Sequence, residues 1–214
     1  FKLGVLPTVM AEFEGQRLQF DLDTLTVKYF TAEILEKVAT APDSLVCQKS
    51  YLGALAKHSA GALEIIKGNY ALNEAKAKQV DASYPQRWPR DCSSVNIWKV
   101  EEKKSDVGLA LHAFKDAMLG EIEHAVIVTN DTDILPALEM INQLTRVKIG
   151  LVIPTLDHTR RPNQELRDQA IWTRTQITEA ELTQYQLPRV IAGGRRPYTC
   201  LLYTSPSPRD RQKS

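Results

Sequence analysis

Residues 124–154 read HAVIVTNDTDILPALEMINQLTRVKIGLVIP, with two apolar runs on either side of a helical pattern. HAVIVT (124–129) is almost continuously apolar, which is typical of a strand in a parallel sheet covered on both faces. DILPALEMINQL (133–144) predicts a helix, and Pro136 is tolerated in its first turn. VKIGLVIP (147–154) predicts a second buried strand. Strand, helix and strand in this order indicate a βαβ unit of an α/β protein.

The same alternation of strands and helices extends over much of the chain. Apolar and β-branched residues predict strands over 24–34, 62–72 and 94–103. Helical spacing of apolar residues predicts helices over 42–59, 105–119, 162–170 and 177–185. Asp43 or Ser44 is expected to cap the first of these helices, and Ser105 or Asp106 the second. This order predicts a doubly wound, mostly parallel sheet, with a loop over the polar residues 73–93.

Composition restricts the class of protein. The chain has 214 residues, of which 43% are apolar and 25% charged, so one domain with a hydrophobic core is expected. No run reaches the roughly 20 apolar residues of a membrane span, and no membrane partner is expected. Cys47, Cys92 and Cys200 lack metal-ligand spacing and favour a reducing, cytoplasmic location. The formal net charge of +1 means that any contact with nucleic acid must be local.

The C-terminal run CLLYTSPSPRDRQKS (200–214) differs from the rest in composition. It is rich in Ser, Pro and Arg and has no apolar periodicity. Its first part resembles the in-frame translation of a sequencing adapter. We therefore expect 200–214 to be a disordered, non-native tail, with the folded domain over 1–199.

Three carboxylates are expected at one edge of the sheet. Asp131 and Asp133 follow the strand 124–129, and Asp106 follows the strand 94–103. Ligands of open parallel sheets bind beyond the carboxyl ends of the strands. Converging carboxylates repel one another unless a cation lies between them, and oxygen ligands favour Mg²⁺ or Mn²⁺. The chemistry that fits is metal-assisted phosphodiester hydrolysis.

Helix capping is the competing interpretation of the same residues. An Asp at a helix N-terminus usually satisfies free backbone N–H groups. However, a helix needs one cap, and NDTD (130–133) supplies several residues that can cap. Thr129 and Asn130 add oxygens that would position water or phosphate. This excess of polar residues favours a metal site over helix capping alone.

Several basic residues could assist binding of a phosphate. Lys104, in EEKK (101–104), would offset phosphate charge or belong to a solvated strand end. Arg160 and Arg161 precede a predicted helix and form either an anion site or a solvated loop.

Two further features carry weaker signals. Tyr84, Arg87, Trp88 and Arg90 form an aromatic and basic loop that could stack a single-stranded base. Asp116 lies almost three helical turns after Asp106 and is expected to be a supporting or surface residue.

The segments EEKKSDVGLALHAFKDAM, HAVIVTNDTDILPALEMI and VKIGLVIP resemble the NYN domain family, relatives of the PIN nucleases. The resemblance is strongest over 98–154 and points to a subgroup labelled 6-hydroxy-3-succinoylpyridine hydroxylase-like. It implies a PIN-like three-layer α/β/α fold and a Mg²⁺ or Mn²⁺ site. The metal ligands would be Asp106, Asp131 and Asp133, and the implied activity is RNA hydrolysis.

The resemblance is incomplete at the N-terminus. The family opens with a central strand ending in an Asp-Gly-Phe-Asn-Leu-like motif, whose Asp is a metal ligand. FKLGV (1–5) looks like the residues that follow this motif, so we expect the first strand to be missing. Asp21 and Asp23 are possible substitutes for this metal ligand, but they precede a strand instead of ending one. Weak or absent activity and reduced stability are therefore expected of the chain as written.

Two other functions stay open at this point. One is hydroxylation of a pyridine compound, as the subgroup label suggests, although the chain has no GxGxxG motif after a strand and no His-rich cluster. The other is a non-catalytic RNA-binding or interaction module whose acidic residues are caps. The oligomeric state is not specified, and a homo-oligomer stays open.

Overall fold

The computed structural model describes residues 11–13, 16–18, 25–39, 41–80, 82–156, 161–192 and 197–199. The segment 1–5, Asp21, Asp23, Arg160 and the tail 200–214 lie outside these ranges. The expected division into 1–199 and 200–214 therefore stays a prediction.

The described residues form short strands and helices in alternation. The strands are β1 Ala11–Phe13, β2 Gln16–Leu18, β3 Val27–Ala32, β4 Leu63–Lys78, β5 Ser94–Lys103, β6 His124–Val128, β7 Lys148–Val152, β8 Trp172–Arg174, β9 Val190–Ile191 and β10 Tyr198–Thr199. The α-helices are α1 Ser44–His58, α2 Ser105–Met118, α3 Leu135–Leu144, α4 Gln164–Asp168 and α5 Glu179–Gln184. Three short 3-10 helices cover Glu36–Val38, Pro89–Asp91 and Thr132–Ile134. Within the described ranges, no helix is both long and apolar enough to cross a membrane.

The predicted α/β class is confirmed. The larger sheets are β3-β4-β5 and β6-β7-β8, with two small hairpins, β1-β2 and β9-β10. All pairs in β6-β7-β8 are parallel, as is the pair β3-β4. The pair β4-β5 is antiparallel, because a hairpin and not a helical crossover connects these two strands.

The hairpin between β4 and β5 is longer than the sequence predicts. Composition predicts a loop over 73–93, but β4 continues to Lys78 and pairs with β5 as far as Ser94. Alanine and lysine have low strand propensity, which hides the strand in the sequence. Pairing of Ala75 and Ala77 with Ile97 and Val95 overrides that propensity.

The core lies around β6, β7 and α3. Ile127, Leu138, Ile141, Ile149 and Leu151 are all buried there. On β6, however, Val126 and Val128 are 41% and 52% exposed. The strand expected to be buried on both faces is thus buried on one, with side chains alternating between the core and solvent.

The turn from β5 into α2 sets the direction of the helix. Lys104 occupies its N-cap position with φ 77, in the left-handed region that favours glycine. The expected cap by Ser105 or Asp106 is wrong, because the helix has no side-chain cap and Ser105 Oγ donates to Glu102 instead. A Cβ on Gly68 of β4 would lie 2.4 Å from the carbonyl oxygen of Lys103. Glycine at 68 therefore permits this turn.

We expect Gly68→Ala to destabilise the fold by about 1–3 kcal/mol, because the new methyl group meets backbone that has little room to move. Chemical denaturation would measure the loss. Gly108→Ala in α2 is the matched control, since its Cβ would lie 3.4 Å from Phe30, an ordinary contact. Alanine is the better helix former, so the control should gain about 0.5–1 kcal/mol. Equal stability of the two variants would contradict the role of Gly68.

Candidate metal centre

Three aspartates from separate parts of the chain converge beside the N-terminus of α2. Asp106, Asp131 and Asp133 each place a carboxylate oxygen within 4.8 Å of the other two. Asp106 lies in the first turn of α2, and the other two follow β6. All three side chains are exposed. The structure thus brings together the residues that the sequence places at one sheet edge.

Local hydrogen bonds explain the conformation of the segment after β6. The backbone N–H of Asp131 donates to Thr129 Oγ1 over 3.0 Å. Asp131 Oδ1 in turn accepts from the backbone N–H of Asp133 over 3.1 Å and caps the 3-10 helix Thr132–Ile134. Capping therefore accounts for one oxygen of Asp131. It does not account for Asp106 or Asp133.

The carboxylates of this cluster repel one another. Although Asp106 is exposed, partial desolvation of its carboxyl group raises its pKa, and the negative charges of Asp131, Glu102 and Asp133 raise it further. A raised carboxyl pKa means that the folded protein holds a proton more readily than a free aspartate does. The cluster therefore favours a cation or a proton among its oxygens.

Glu102 is a fourth acidic residue that the sequence does not reveal. EEKK (101–104) predicts a solvated strand end, yet Glu102 accepts a hydrogen bond from the Tyr70 hydroxyl over 3.1 Å. Glu102 also accepts from Ser105 Oγ. Glu102 lies close enough to Asp106 to raise the pKa of its carboxyl, and the pairing of β4 with β5 creates the contact with Tyr70.

Asn130, expected to position water or phosphate, lines the depression beside the cluster and also makes two structural hydrogen bonds. Its Oδ1 accepts from the backbone N–H of Asn163 over 3.0 Å, and its Nδ2 donates to the carbonyl of Arg161 over 3.3 Å. Asn163 caps α4 through Leu166 N–H. Asn130 therefore joins the end of β6 to the segment before α4, through the backbone of Arg161 and Asn163.

A shallow depression of about 430 Å³ opens beside the cluster. Its lining comprises Val128, Thr129, Asn130, Asp131, Thr132 and Pro154. Lys103 is paired with Glu101 over 3.0 Å, whereas Lys104 is exposed at the start of α2. The depression has room for a phosphate group beside oxygen ligands.

Comparison with known proteins identifies the family. A model of the NYN domain matches residues 37–173, more than half of the chain. The chain belongs to the NYN domain family. A relative from Pseudomonas putida (strain DSM 28022 / S16), named 6-hydroxy-3-succinoylpyridine 3-monooxygenase HspA, is 48% identical over 199 residues. The match covers 92% of this chain but 64% of that relative, so the chain spans under two-thirds of its length. The family and the subgroup expected from the sequence are confirmed.

One solved structure is also similar, a protein of unknown function from Vibrio parahaemolyticus. It is 18% identical and the match covers 75% of this chain and 98% of that chain, with a TM-score of 0.30. A TM-score this low does not indicate a shared fold. The NYN domain match remains the basis for placing the chain among relatives of the PIN-like nucleases.

Behind the acidic cluster of this NYN domain, an ion pair fixes α2 against β3. Lys28 Nζ lies 2.5 Å from Asp116 Oδ2, and Asp116 is 8% exposed. His112, one turn earlier, contacts Phe30 with ring centroids 5.5 Å apart. Asp116 therefore supports the helix that carries Asp106, about 15 Å away along its axis, and is too distant to be a fourth ligand.

We expect Asp106→Asn to stabilise the metal-free protein at pH 7. The raised pKa of Asp106 means that its ionisation costs stability as pH rises above the ordinary value of 3.8. The gain should be under about 1 kcal/mol, because exposed charges are well screened, and should vanish at low pH. Thermal unfolding in EDTA across this pH range measures it.

Addition of Mn²⁺ should make the wild-type protein more stable than Asp106→Asn. The wild-type protein should gain thermal stability with the ion, and Asp106→Asn should gain little, because it lacks one ligand. Asp168→Asn, on α4 outside the cluster, is the matched control and should respond as the wild type does. A less stable Asp106→Asn in EDTA at pH 7 would instead assign Asp106 a structural role.

Proposed function

We propose that this NYN domain is a Mg²⁺- or Mn²⁺-dependent ribonuclease that hydrolyses RNA phosphodiester bonds. The observation that carries the proposal is the convergence of Asp106, Asp131 and Asp133. Membership of a family related to the PIN-like nucleases supports it.

The residues present fit a hard cation. Mg²⁺ ligands lie about 2.1 Å from the ion, so two of them are at most about 4.2 Å apart. Oxygens within 4.8 Å of one another reach that spacing through small side-chain rotations. The donors are all carboxylate oxygens, the class that Mg²⁺ and Mn²⁺ prefer. Burial and then the negative charges of Asp131, Glu102 and Asp133 raise the pKa of Asp106, and such an ion would offset those charges.

When bound, the ion supplies electrophilic polarisation of the phosphodiester and lowers the pKa of water. The protein orients the substrate around it. Thr129 Oγ1 accepts from Asp131 N–H, which leaves its hydroxyl hydrogen to donate to phosphate or water. Lys104 offsets the negative charge of the substrate at the start of α2. Arg161, whose backbone carbonyl accepts from Asn130 Nδ2, would supply a second positive charge to the substrate.

A labelled-RNA cleavage assay with Mn²⁺ against EDTA, run on this chain and on a version with an Asp-bearing strand added before residue 1, tests the proposal. Asp131→Asn is the decisive variant, because asparagine still caps the 3-10 helix through its amide oxygen but loses the negative charge. We expect cleavage to need the ion and to fall at least about 100-fold in Asp131→Asn. Asp168→Asn, with the same change of charge outside the cluster, should cleave normally.

A folded protein that neither cleaves RNA nor binds Mn²⁺ would overturn the proposal. The acidic residues would then be caps and solvated side chains of a non-catalytic RNA-binding or interaction module. Such a module would bind RNA equally well with Mn²⁺ or EDTA and would tolerate Asp131→Asn.

Lys104 permits a separate test, because its charge and its backbone conformation can be changed independently. Lys104→Gly should be more stable than Lys104→Ala by about 1 kcal/mol, since glycine adopts positive φ without steric cost. Both variants lose the charge, so both should cleave RNA with a higher KM, and Lys104→Arg should not. Unchanged KM in Lys104→Ala would remove Lys104 from substrate binding.

A second candidate function rests on the Pseudomonas putida relative, whose name describes a monooxygenase acting on 6-hydroxy-3-succinoylpyridine. This chain lacks a GxGxxG motif for a flavin or nicotinamide cofactor. The test is to incubate the purified chain with that compound, oxygen, reduced nicotinamide and flavin. Formation of the hydroxylated product, or visible absorption of a bound flavin, would favour this function over RNA hydrolysis.

A further inference from the structure

The outer part of the β4-β5 hairpin lies outside the hydrophobic core. We call residues 73–99 the ribbon arm. None of the arm residues that the structure describes is buried. Large side chains are exposed along it, among them Tyr84, Trp88 and Trp98, at 63%, 69% and 65%. Single exposed apolar residues are ordinary on protein surfaces, whereas clusters of them usually mark binding sites. The exposed aromatic residues of the arm therefore indicate a binding role.

The tip of the ribbon arm consists of two consecutive turns with the same design. In Tyr84-Pro85-Gln86-Arg87 the Arg87 N–H donates to the carbonyl of Tyr84 over 3.0 Å. In Trp88-Pro89-Arg90-Asp91 the Asp91 N–H donates to the carbonyl of Trp88 over 2.9 Å. Proline in the second position of each turn fixes φ in advance. Each turn therefore presents its leading aromatic ring from a rigid backbone.

Each ring carries an arginine over one face. The Arg87 guanidinium lies 5.0 Å from the centroid of the Tyr84 ring, and that of Arg90 lies 5.8 Å from the Trp88 ring. A ring with a cation on one side and solvent on the other suits a flat π system as its next partner. A nucleobase is such a group, and its phosphate can contact the same arginine.

The tip is tied to the strands below it. Lys78 Nζ donates to the carbonyl of Cys92 over 3.0 Å, and the backbone N–H of Gln79 donates to the carbonyl of Ser93 over 3.0 Å. A ligand that binds here has little backbone to order, which lowers the entropic cost of binding.

One face of the ribbon arm connects the tip to the metal centre. Because alternate strand residues share a face, Lys76, Lys78 and Trp98 lie on the same side of the ribbon as Glu102. Glu102 is beside Asp106. The ten residues of β5 span roughly 30 Å, so a single strand of nucleic acid could extend from the tip to the cluster.

Charge on the ribbon arm is locally positive in a chain of net charge +1. Its basic residues are Lys76, Lys78, Arg87, Arg90 and Lys99, and its acidic residues are Glu74, Asp81 and Asp91. Arg90 lies 3.8 Å from Asp91, both well exposed, so this pair is weak and leaves the guanidinium accessible.

We propose that the ribbon arm binds single-stranded RNA, with bases stacked on its exposed aromatic rings and phosphates beside its basic side chains. The choice of RNA as the nucleic acid rests on the proposed ribonuclease function. The arm holds the substrate at a distance from the metal centre, and only an RNA long enough to reach both engages the arm during cleavage.

Fluorescence anisotropy of a labelled single-stranded RNA of about 20 nucleotides, longer than one typical single-strand site, tests the proposal. EDTA in the buffer separates binding from cleavage. The double variant Tyr84→Leu/Trp88→Leu keeps apolar side chains and loses the flat rings, so we expect binding at least about ten-fold weaker. Unfolding curves of each variant check that the fold is retained.

A second double variant, Arg87→Ala/Arg90→Ala, tests the phosphate contacts. Loss of two contacts to a single strand should make the slope of log affinity against log salt shallower by about 1.4. Arg146→Ala/Arg189→Ala removes the same charge from exposed positions outside the arm and should leave the slope unchanged.

The outcomes distinguish the ribbon arm from the ribonuclease. RNA binding that depends on the arm, in a chain that cleaves nothing, supports the arm and overturns the ribonuclease. Metal-dependent cleavage, with both arm variants binding RNA as tightly as the wild type, supports the ribonuclease and overturns the arm. If both hold, arm variants should slow cleavage of the long RNA and leave an oligonucleotide of about 4 nucleotides, a minimal single-strand site, unaffected.

Two further results would overturn the arm proposal. One is a wild-type chain that does not bind the RNA. The other is a Tyr84→Leu/Trp88→Leu variant that sediments differently but binds RNA as before, which would assign the arm to self-association.

Discussion

The close approach of β4 to the turn between β5 and α2 is the constraint on which the acidic cluster depends. Gly68 leaves room for the carbonyl of Lys103, and Lys104 adopts a left-handed conformation directly afterwards. A larger residue at 68 would push the turn outward and move Asp106 with it. The ion pair between Lys28 and Asp116 then fixes the far end of the same helix against β3. Two contacts from one sheet therefore determine where α2 presents its carboxylate.

The negative charges of the acidic cluster lower the stability of the metal-free fold. Burial and three neighbouring carboxylates raise the pKa of Asp106, so its negative charge is unfavourable in the folded protein. Capping compensates for only part of this, through one oxygen of Asp131. A protein that kept these residues as caps alone would have no need of Asp106 and Asp133 in the same place. Local destabilisation at a polar strand end is common where a ligand later supplies the missing charge.

The ribbon arm adds a second surface to the NYN domain. It is the outer part of β4 and β5, which a hairpin connects, whereas parallel strands are connected by helical crossovers. Strand β5 continues from the inner end of the arm to Glu102 beside the candidate metal centre, and the outer end of the arm carries the two aromatic turns with their arginines. The relative named as a monooxygenase extends beyond the length that this chain spans. Strand β5 runs from the ribbon arm to Glu102, which lies beside Asp106 of the acidic cluster.

The sequence by itself determined the α/β class, the βαβ unit over 124–154 and the three aspartates, because these depend on local periodicity and on strand ends. Tertiary structure decided the rest. The strand after Leu72 forms only because β5 pairs with it, against the propensities of its own alanines and lysines. Glu102, beside Asp106, accepts a hydrogen bond from Tyr70 on β4, and Asn130 accepts one from the backbone of Asn163, about thirty residues later. Such contacts join residues far apart in the chain, and local sequence patterns do not encode them.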